Sequence, residues 1–197
     1  RKAENLAVGD KVRTWSRVRV HHEFLPHYLD QPLLFPIPAS EDGKPSNWPS
    51  GHLDYALLSA LSSSPNQLFY LPTKTGIPAA DKAEIRRWLD WGRKNVEFLK
   101  VHKDLPDWPA PGKVDGSAHV LDDRGLIFLF NSGDASLSGE FALTDESIAL
   151  KSPGDYEIIQ EHPQSTRMVK AAFGETVRWE VPAKTAVVLR IQQAVKK

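Results

Sequence analysis

The sequence predicts an α/β segment followed by an all-β domain. An uncharged apolar run, Gln67 to Leu71, precedes a long amphipathic helix, which is the order of a strand, a loop and a helix. A second helix is predicted by the spacing of apolar residues from Leu53 to Leu61. Beyond Gly112 the pattern changes to short apolar runs separated by turn residues, which is typical of antiparallel sheets. The predicted domains are therefore residues 1–112 and 113–197.

The composition is that of an ordinary soluble protein and excludes several function classes. Its 197 residues carry 25 Lys plus Arg and 25 Asp plus Glu, so no excess charge favours nucleic acid or an anionic membrane as a partner. No run has the length of a membrane span and the start is unlike a signal peptide, which predicts a soluble mature chain. The absence of cysteine excludes disulfides and thiolate sites. No dinucleotide or phosphate-loop motif occurs, so no cofactor is expected.

Near the start of the chain, the stretch from Thr14 to His21 alternates in polarity. Alternation predicts a strand, with Trp15, Arg17, Arg19 and His21 on one face. That face would either meet solvent or line a binding site.

The next segment contains two candidate catalytic carboxylates, Glu23 and Asp30. Two carboxylates among histidines could act as a paired general acid and base. The alternative is that they are loop carboxylates paired to Arg17 or Arg19. The histidines near these carboxylates do not show the sequence spacing of a site with three metal ligands, so no metal site is predicted. The neighbours predicted to bind the substrate are Arg19, His21 and His22, and His27 and Tyr28 lie in the same polar segment.

Further candidate substrate-binding residues lie in the connections around the two predicted helices. Residues 36–51 form a long loop, a feature that is usually functional or mobile. Trp48 and His52, just before the first helix, sit where α/β proteins place their ligand loops. Lys74 follows the Gln67 to Leu71 strand and could reach the same ligand. Asp54 is interpreted as a structural residue stabilised by the helix dipole.

The long helix is predicted to begin with a capping box in which Asp81 caps and Glu84 reciprocates. Charged residues at i+3 and i+4 would form exposed pairs, such as Glu84 with Arg87 and Asp90 with Arg93. Pro106 ends the helical region. Its apolar stripe comprises Ile85, Trp88, Leu89, Gly92, Val96 and Leu99.

The C-terminal part predicts an antiparallel β-sandwich of six to eight strands. Val177, Trp179 and Val181 alternate with charged residues, which indicates a strand with one wet face. Few aromatics beyond Trp179 would be exposed on these strands. The predicted strands are Ala118 to Leu121, Leu126 to Asn131, Leu137 to Leu143, Tyr156 to Glu161, Val177 to Val181 and Ala186 to Ile191.

The N-terminal half has too few strands to close a barrel or to cover both faces of a sheet, although its strands read as buried. The missing strands would then lie on another segment or another chain. The alternative is a complete α+β protein with a small mixed sheet.

The order of elements resembles the end of an α-galactosidase-like glycoside hydrolase, in which a (β/α)8 barrel precedes a β-sandwich. Gln67 to Leu71 and Asp81 to Leu89 are similar to the last strand and helix of that barrel. Gly125 to Asn131 and Val181 to Leu189 are similar to an early and a closing strand of the sandwich.

This resemblance implies hydrolysis of a glycosidic bond by two carboxylates. In that family both catalytic aspartates lie on earlier barrel strands, so most of this chain would supply substrate-positioning loops. The partners implied are a carbohydrate substrate and the remainder of the barrel. The alternative is a non-catalytic carbohydrate-binding or structural β-sandwich protein.

Overall fold

A computed structural model describes residues 5–22, 33–34, 51–66, 68–69 and 77–194. The chain divides into two compact units, Arg1–Val96 and Glu97–Lys197. The first unit is α/β and the second is rich in antiparallel strands. No helix in these ranges is both long enough and apolar enough to span a bilayer.

Helices and short strands alternate in the first unit. The two strands pair in parallel, with Leu33 opposite Leu68 and Leu34 opposite Phe69. The strand predicted from Gln67 to Leu71 is confirmed at Leu68 and Phe69, and the rest of that run lies outside the described residues. The helix predicted from Leu53 to Leu61 is also confirmed. The elements are α1 (Asn5–His22), β1 (Leu33–Leu34), α2 (Leu53–Ser63), β2 (Leu68–Phe69) and α3 (Ala79–Lys94).

The predicted strand from Thr14 to His21 is wrong, because this stretch belongs to helix α1. The buried positions of α1 recur every three or four residues, as in a helix, but several of them are polar. Polar side chains on the buried face broke the apolar periodicity and left an apparent alternation. The buried residues of α1 are Asn5, Leu6, Gly9, Val12, Arg13, Ser16 and Arg17.

Helices α1 and α2 pack closely and run in the same direction. Asn5 contacts Gly51 and Arg13 contacts Ser59, and the partners in both pairs are 46 residues apart in the chain. A constant offset of this kind is the signature of parallel helices. Gly9 permits the close approach, since a Cβ atom there would lie 2.6 Å from Ser59 Oγ.

The predicted capping box of α3 is wrong. The helix begins at Ala79, its N-cap is Pro78 without a side-chain hydrogen bond, and Asp81 lies in the first turn. Glu84 instead accepts hydrogen bonds from Arg87 and, at 2.8 Å, from Trp88 Nε1. Proline supplies the backbone dihedral for a helix start without a capping side chain.

Two of the exposed ion pairs predicted for α3 are confirmed. The helix itself is shorter than predicted. Glu84 pairs with Arg87 and Asp90 pairs with Arg93. The helix stops at Lys94, and a short helix, α4 (Val96–Leu99), follows.

The second unit contains two antiparallel sheets among its described residues. One has the strand order β3-β4-β5-β10-β7-β8, and the other pairs β6 with β9. All six predicted strands are present, and β8 was missed because its half-exposed sequence lacks a clear apolar run. The elements are β3 (Lys103–Asp104), β4 (Asp115–Leu121), β5 (Arg124–Asn131), β6 (Leu137–Ala142), α5 (Asp145–Ile148), β7 (Asp155–His162), β8 (Met168–Ala172), β9 (Thr176–Val181) and β10 (Thr185–Gln193).

Both sheets contribute to one hydrophobic core. Phe141 and Trp179 of the two-stranded sheet belong to the same buried cluster as Ile127 and Leu189 of the larger sheet. The described arrangement is thus a β-rich domain with a shared core, and the closed sandwich stays a prediction. The predicted domain boundary at Gly112 also stays a prediction. The second compact unit begins at Glu97 and so includes β3, which pairs with β4.

Asn131 joins the end of β5 to its neighbours and is fully buried. Its Nδ2 group donates to the carbonyl oxygens of Ala135, Val181 and Pro182 at 2.8, 3.0 and 3.1 Å. Its Oδ1 atom accepts from the Gly133 amide at 3.0 Å. The Asn131 side chain therefore provides hydrogen-bond partners for three backbone carbonyl oxygens and for the Gly133 amide.

Replacing Asn131 with alanine is expected to lower the free energy of unfolding of the β-rich unit by about 2 to 3 kcal/mol, because buried backbone groups lose their partners. Asn131→Asp should cost more, since a carboxylate would face three carbonyl oxygens. Denaturant unfolding followed by circular dichroism measures both. If the Asn131→Asp variant were as stable as the wild-type protein, the assigned hydrogen bonds would be contradicted.

Candidate functional site

The candidate site is the edge of the first unit at which β1 and β2 end. Because the two strands are parallel, the residues that follow each strand leave from the same edge. In α/β folds this carboxyl edge carries the ligand loops. Helix α2 follows β1 in the chain and α3 follows β2, and in α/β folds a helix that follows a strand begins near the carboxyl end of that strand. We therefore expect α2, preceded by Gly51 and His52, and α3, preceded by Ile77 and Pro78, to begin near this edge.

Helix α1 begins beside the start of α2. Asn5 Nδ2, at the start of α1, donates to the Gly51 carbonyl oxygen at 2.6 Å. The Asn5 side chain is buried, and its Oδ1 atom has no hydrogen-bond partner within the described ranges. The amino ends of α1 and α2 are therefore side by side, and the positive ends of both helix dipoles are oriented toward the same region.

His52 has an unusual backbone conformation for its residue type. Its φ and ψ angles of 50° and 36° are left-handed, and the preceding Gly51 has φ 73°. A residue with a Cβ atom pays about 1 kcal/mol or more for this conformation. His52 is also exposed to solvent. Strained backbone conformations occur at binding sites among other places, and the role of His52 in substrate binding stays a prediction.

Two predicted site residues lie at the opposite end of α1. Arg19 is half-buried and His21 is exposed, both in the last turns of the helix. A helix rises 1.5 Å per residue, so His21 lies about 24 Å along α1 from Asn5. The structure therefore does not bring Arg19 and His21 together with His52, and His22 shares their end of the helix. Their role in substrate binding stays a prediction.

Four other predicted site residues lie outside the described residues. They include both candidate catalytic carboxylates and two candidate substrate-binding residues. They are Glu23, Asp30, Trp48 and Lys74. The interpretation of Asp54 as a first-turn residue of α2 is confirmed.

The second unit holds a polar cluster that sequence reasoning missed. His119 Nδ1 lies 2.7 Å from the Val101 carbonyl oxygen, which only accepts, so a neutral ring carries its proton there. Nε2 then accepts from the Ser117 hydroxyl at 2.9 Å. His102 Nε2 lies 3.0 Å from Asp104. The signal was alternate spacing in two places: Ser117 with His119 on β4, and His102 with Asp104 at the start of β3.

A serine that donates to a histidine is the arrangement of an activated nucleophile. Here Ser117 is only 4% exposed and His119 is fully buried, in edge contact with Phe128. A substrate could not reach the hydroxyl oxygen. We therefore interpret this cluster as a structural link between β4 and the segment at Val101.

Trp179 is not an exposed aromatic, contrary to the prediction. It is fully buried in the core, and its Nε1 atom donates to Gln160 Oε1 at 2.9 Å. The alternation of β9 is confirmed, but its apolar face points into the core that the two sheets share. Trp179 is therefore not available to stack on a sugar ring at the surface.

Within the ranges that the structure covers, no three histidine or carboxylate side chains gather in a metal-binding arrangement.

No protein-family model matches the sequence, and no curated protein does. The fold, however, is similar to solved structures. A Bacillus halodurans protein described as an alpha-N-acetylgalactosaminidase has a TM-score of 0.59 at 13% identity, covering 95% of this chain and 45% of that chain. Alpha-galactosidase I from Mortierella vinacea has a TM-score of 0.50 at 13% identity, over 75% and 37% of the two chains.

An alpha-amylase from Geobacillus thermoleovorans, in complex with acarbose, has a TM-score of 0.50 at 10% identity and covers 74% of this chain and 35% of that chain. The chain spans less than half the length of each of these structures. At these identities the similarity concerns fold alone, and the chain therefore has a glycoside hydrolase-like fold.

Proposed function

We propose that this chain is the C-terminal portion of a glycoside hydrolase, in which the first unit completes a (β/α)8 barrel and the second is a β-sandwich. The observation that carries the proposal is the parallel β1–β2 pair with parallel helices α1 and α2, followed by an antiparallel domain. Similarity to a solved structure over 95% of the chain supports the same order of parts.

In this proposal the chain positions the substrate and does not supply the nucleophile. His52 is expected near the carboxyl edge, and Trp48 and Lys74 lie in the connections that follow β1 and β2 in the chain. An indole face stacks on a sugar ring, and imidazole and ammonium groups donate hydrogen bonds to its hydroxyls. The nucleophile and the general acid are then carried by barrel strands outside this chain.

Glu23 and Asp30 fit this proposal less well than the three positioning residues. Both precede β1 in the chain, whereas the catalytic groups of (β/α)8 barrels follow the strands. The described chain order therefore favours His52, Trp48 and Lys74 as the residues to test first.

The proposal is tested by an assay of the protein that contains this chain together with the remaining barrel. Nitrophenyl α-glycosides report cleavage by the colour of the released phenol. Hydrolysis of at least one α-linked substrate is expected. The absence of cleavage across a panel of α-galactosides, N-acetyl-α-galactosaminides and α-glucosides would contradict the proposed enzyme class.

His52→Gly is expected to lower kcat/KM about tenfold, the equivalent of one lost hydrogen bond to the substrate, without lowering stability. Glycine suits the left-handed backbone at this position and removes only the imidazole. His52→Asn is the matched control, because asparagine tolerates the conformation and keeps a polar side chain. Unchanged kcat/KM in the glycine variant would remove His52 from the site.

A further inference from the structure

A groove of about 530 Å³ lies along helix α3. Its floor is apolar and consists of Ile77, Ile85 and Leu89, of which Ile77 and Leu89 are half-buried. Its rim carries the cations Lys82, Arg86 and Arg93, all exposed. The groove therefore combines an apolar floor with a positively charged rim.

The cationic charge of the rim is largely uncompensated. Arg93 pairs with Asp90, which also lines the groove. Lys82 and Arg86 have no ion pair with any residue that the structure describes. They stand four residues apart, which places both on one face of α3. Arg87, outside the groove, is by contrast neutralised by Glu84.

The shape of the groove favours a helix over a small anion. From Lys82 to Arg93 the groove follows about three turns of α3, or about 17 Å. Sites for small ligands present a few convergent polar groups, whereas these cations are spread along an apolar strip. Ile85 and Leu89 stand four residues apart and so form an apolar strip along α3. Such a strip can receive the apolar face of an amphipathic helix.

We propose that this groove binds an amphipathic helix whose apolar stripe is flanked by Asp or Glu, with the carboxylates opposite Lys82 and Arg86. The inference rests on the proposed function, since the helix would belong to the barrel portion that this chain lacks. The apolar contacts with Ile85 and Leu89 provide the affinity. The exposed ion pairs contribute little energy each, and they select the charge and register of the partner.

The test uses the full chain and two synthetic amphipathic peptides with the same leucine stripe, one flanked by Glu and one by Lys. Fluorescence anisotropy of the labelled peptides gives Kd. The Glu peptide should bind about tenfold more tightly than the Lys peptide, with the preference decreasing as salt is added. In the double variant Lys82→Glu with Arg86→Glu the preference should reverse, so that the Lys peptide binds better.

Two further variants separate the floor from the rim. Leu89→Asp should weaken binding of the Glu peptide at least about tenfold, because a carboxylate replaces an apolar contact. Lys94→Glu, an exposed charge reversal on α3 outside the groove, should leave both affinities unchanged. Absence of a charge preference, or a preference that the double reversal leaves intact, would overturn the proposal.

A second copy of the chain is the competing occupant, and sedimentation equilibrium distinguishes it. Self-association of the wild type that Leu89→Asp abolishes would assign the groove to that copy and overturn the proposed partner. The peptide result is independent of enzymatic activity. Peptide binding as expected, together with an inactive complete protein, would contradict only the glycoside hydrolase proposal.

Discussion

Arg13→Ala is expected to lower the free energy of unfolding of the first unit by about 3 to 5 kcal/mol, because the substitution breaks a buried network that joins α1 to α2. The Arg13 side chain is 5% exposed. Its Nη2 atom donates to Asp10 Oδ1 at 2.8 Å and to the Tyr55 hydroxyl at 3.0 Å, and its Nη1 atom donates to Ser59 Oγ at 2.5 Å. Alanine would remove the hydrogen bond that each of these three partners receives from Arg13.

Other contacts of these residues would not replace the positive charge that Arg13 provides. Tyr55 donates to Asp10 at 2.6 Å, so the carboxylate would keep one donor but lose its counter-charge. Asp10 is itself partly buried, with a side chain 26% exposed. An uncompensated charge in that position is costly. The guanidinium also lies 5.1 Å from the centre of the Tyr55 ring, and that cation–π contact would disappear as well.

Hydrogen–deuterium exchange of the α2 amides measures this effect within the chain, with Arg93→Ala as the control. Arg93 forms an i,i+3 pair with Asp90 but is 76% exposed, so its loss should cost less than about 1 kcal/mol. Arg13→Lys should be intermediate, since an ammonium group cannot reproduce the three-way fork. Protection of α2 that is the same in Arg13→Ala and Arg93→Ala would contradict the role given to the network.

Trp179→Ala is expected to destabilise the β-rich unit by about 3 to 5 kcal/mol, since it leaves a large cavity in the shared core. Trp179 is among the largest fully buried side chains of the described chain. It belongs to the two-stranded sheet, yet it packs in the cluster that contains Ile127 and Leu189 of the larger sheet. Its removal therefore weakens the packing between the two sheets.

Trp179→Phe is the matched variant, because it keeps most of the apolar volume and removes the donor to Gln160. It should cost less than the alanine substitution. Urea unfolding of both variants, followed by far-UV circular dichroism, gives the comparison. If Trp179→Ala and Trp179→Phe were equally stable, the cavity account would be wrong.

Elements with an uninterrupted apolar pattern could be predicted from the sequence. Leu57 and Leu61 of α2 lie on a stripe that is buried as expected, and the run from Leu126 to Phe130 is fully buried in β5. In α2 the spacing of the apolar residues predicts the helix, although every residue from Tyr55 to Ser63 is buried and not only those of the stripe. In β5 a short continuous apolar run predicts a strand that is buried on both faces. Tertiary contacts then reinforce the local preference.

Elements whose buried face is polar could not be predicted in the same way. Helix α1 buries Arg13, Ser16 and Arg17, and Arg13 is held by hydrogen bonds to Tyr55 and Ser59 of α2 rather than by an apolar stripe. Those bonds join residues far apart in the chain and leave no local signal. The sequence of α1 therefore shows an apparent strand pattern from Thr14 to His21.

The candidate site shows the same limit. The identity of His52 and its place before α2 could be inferred from local order, but its left-handed backbone and the contact of Asn5 with Gly51 could not. The sequence predicts that Arg19 and His21 bind the same substrate as His52, because both are polar and close in sequence to the histidine-rich segment. The parallel register of α1 and α2 places them at the other end of the helix.

The central claim is that the first unit is an incomplete part of a barrel, and denaturant unfolding of this chain alone tests it most directly. With hydrogen exchange read separately for residues 5–63 and 97–194, the account predicts two transitions, in which the first unit unfolds at the lower denaturant concentration. Adding the remaining barrel portion should raise only that transition. A monomer that unfolds in one cooperative transition, with equal protection in both units, would contradict the claim.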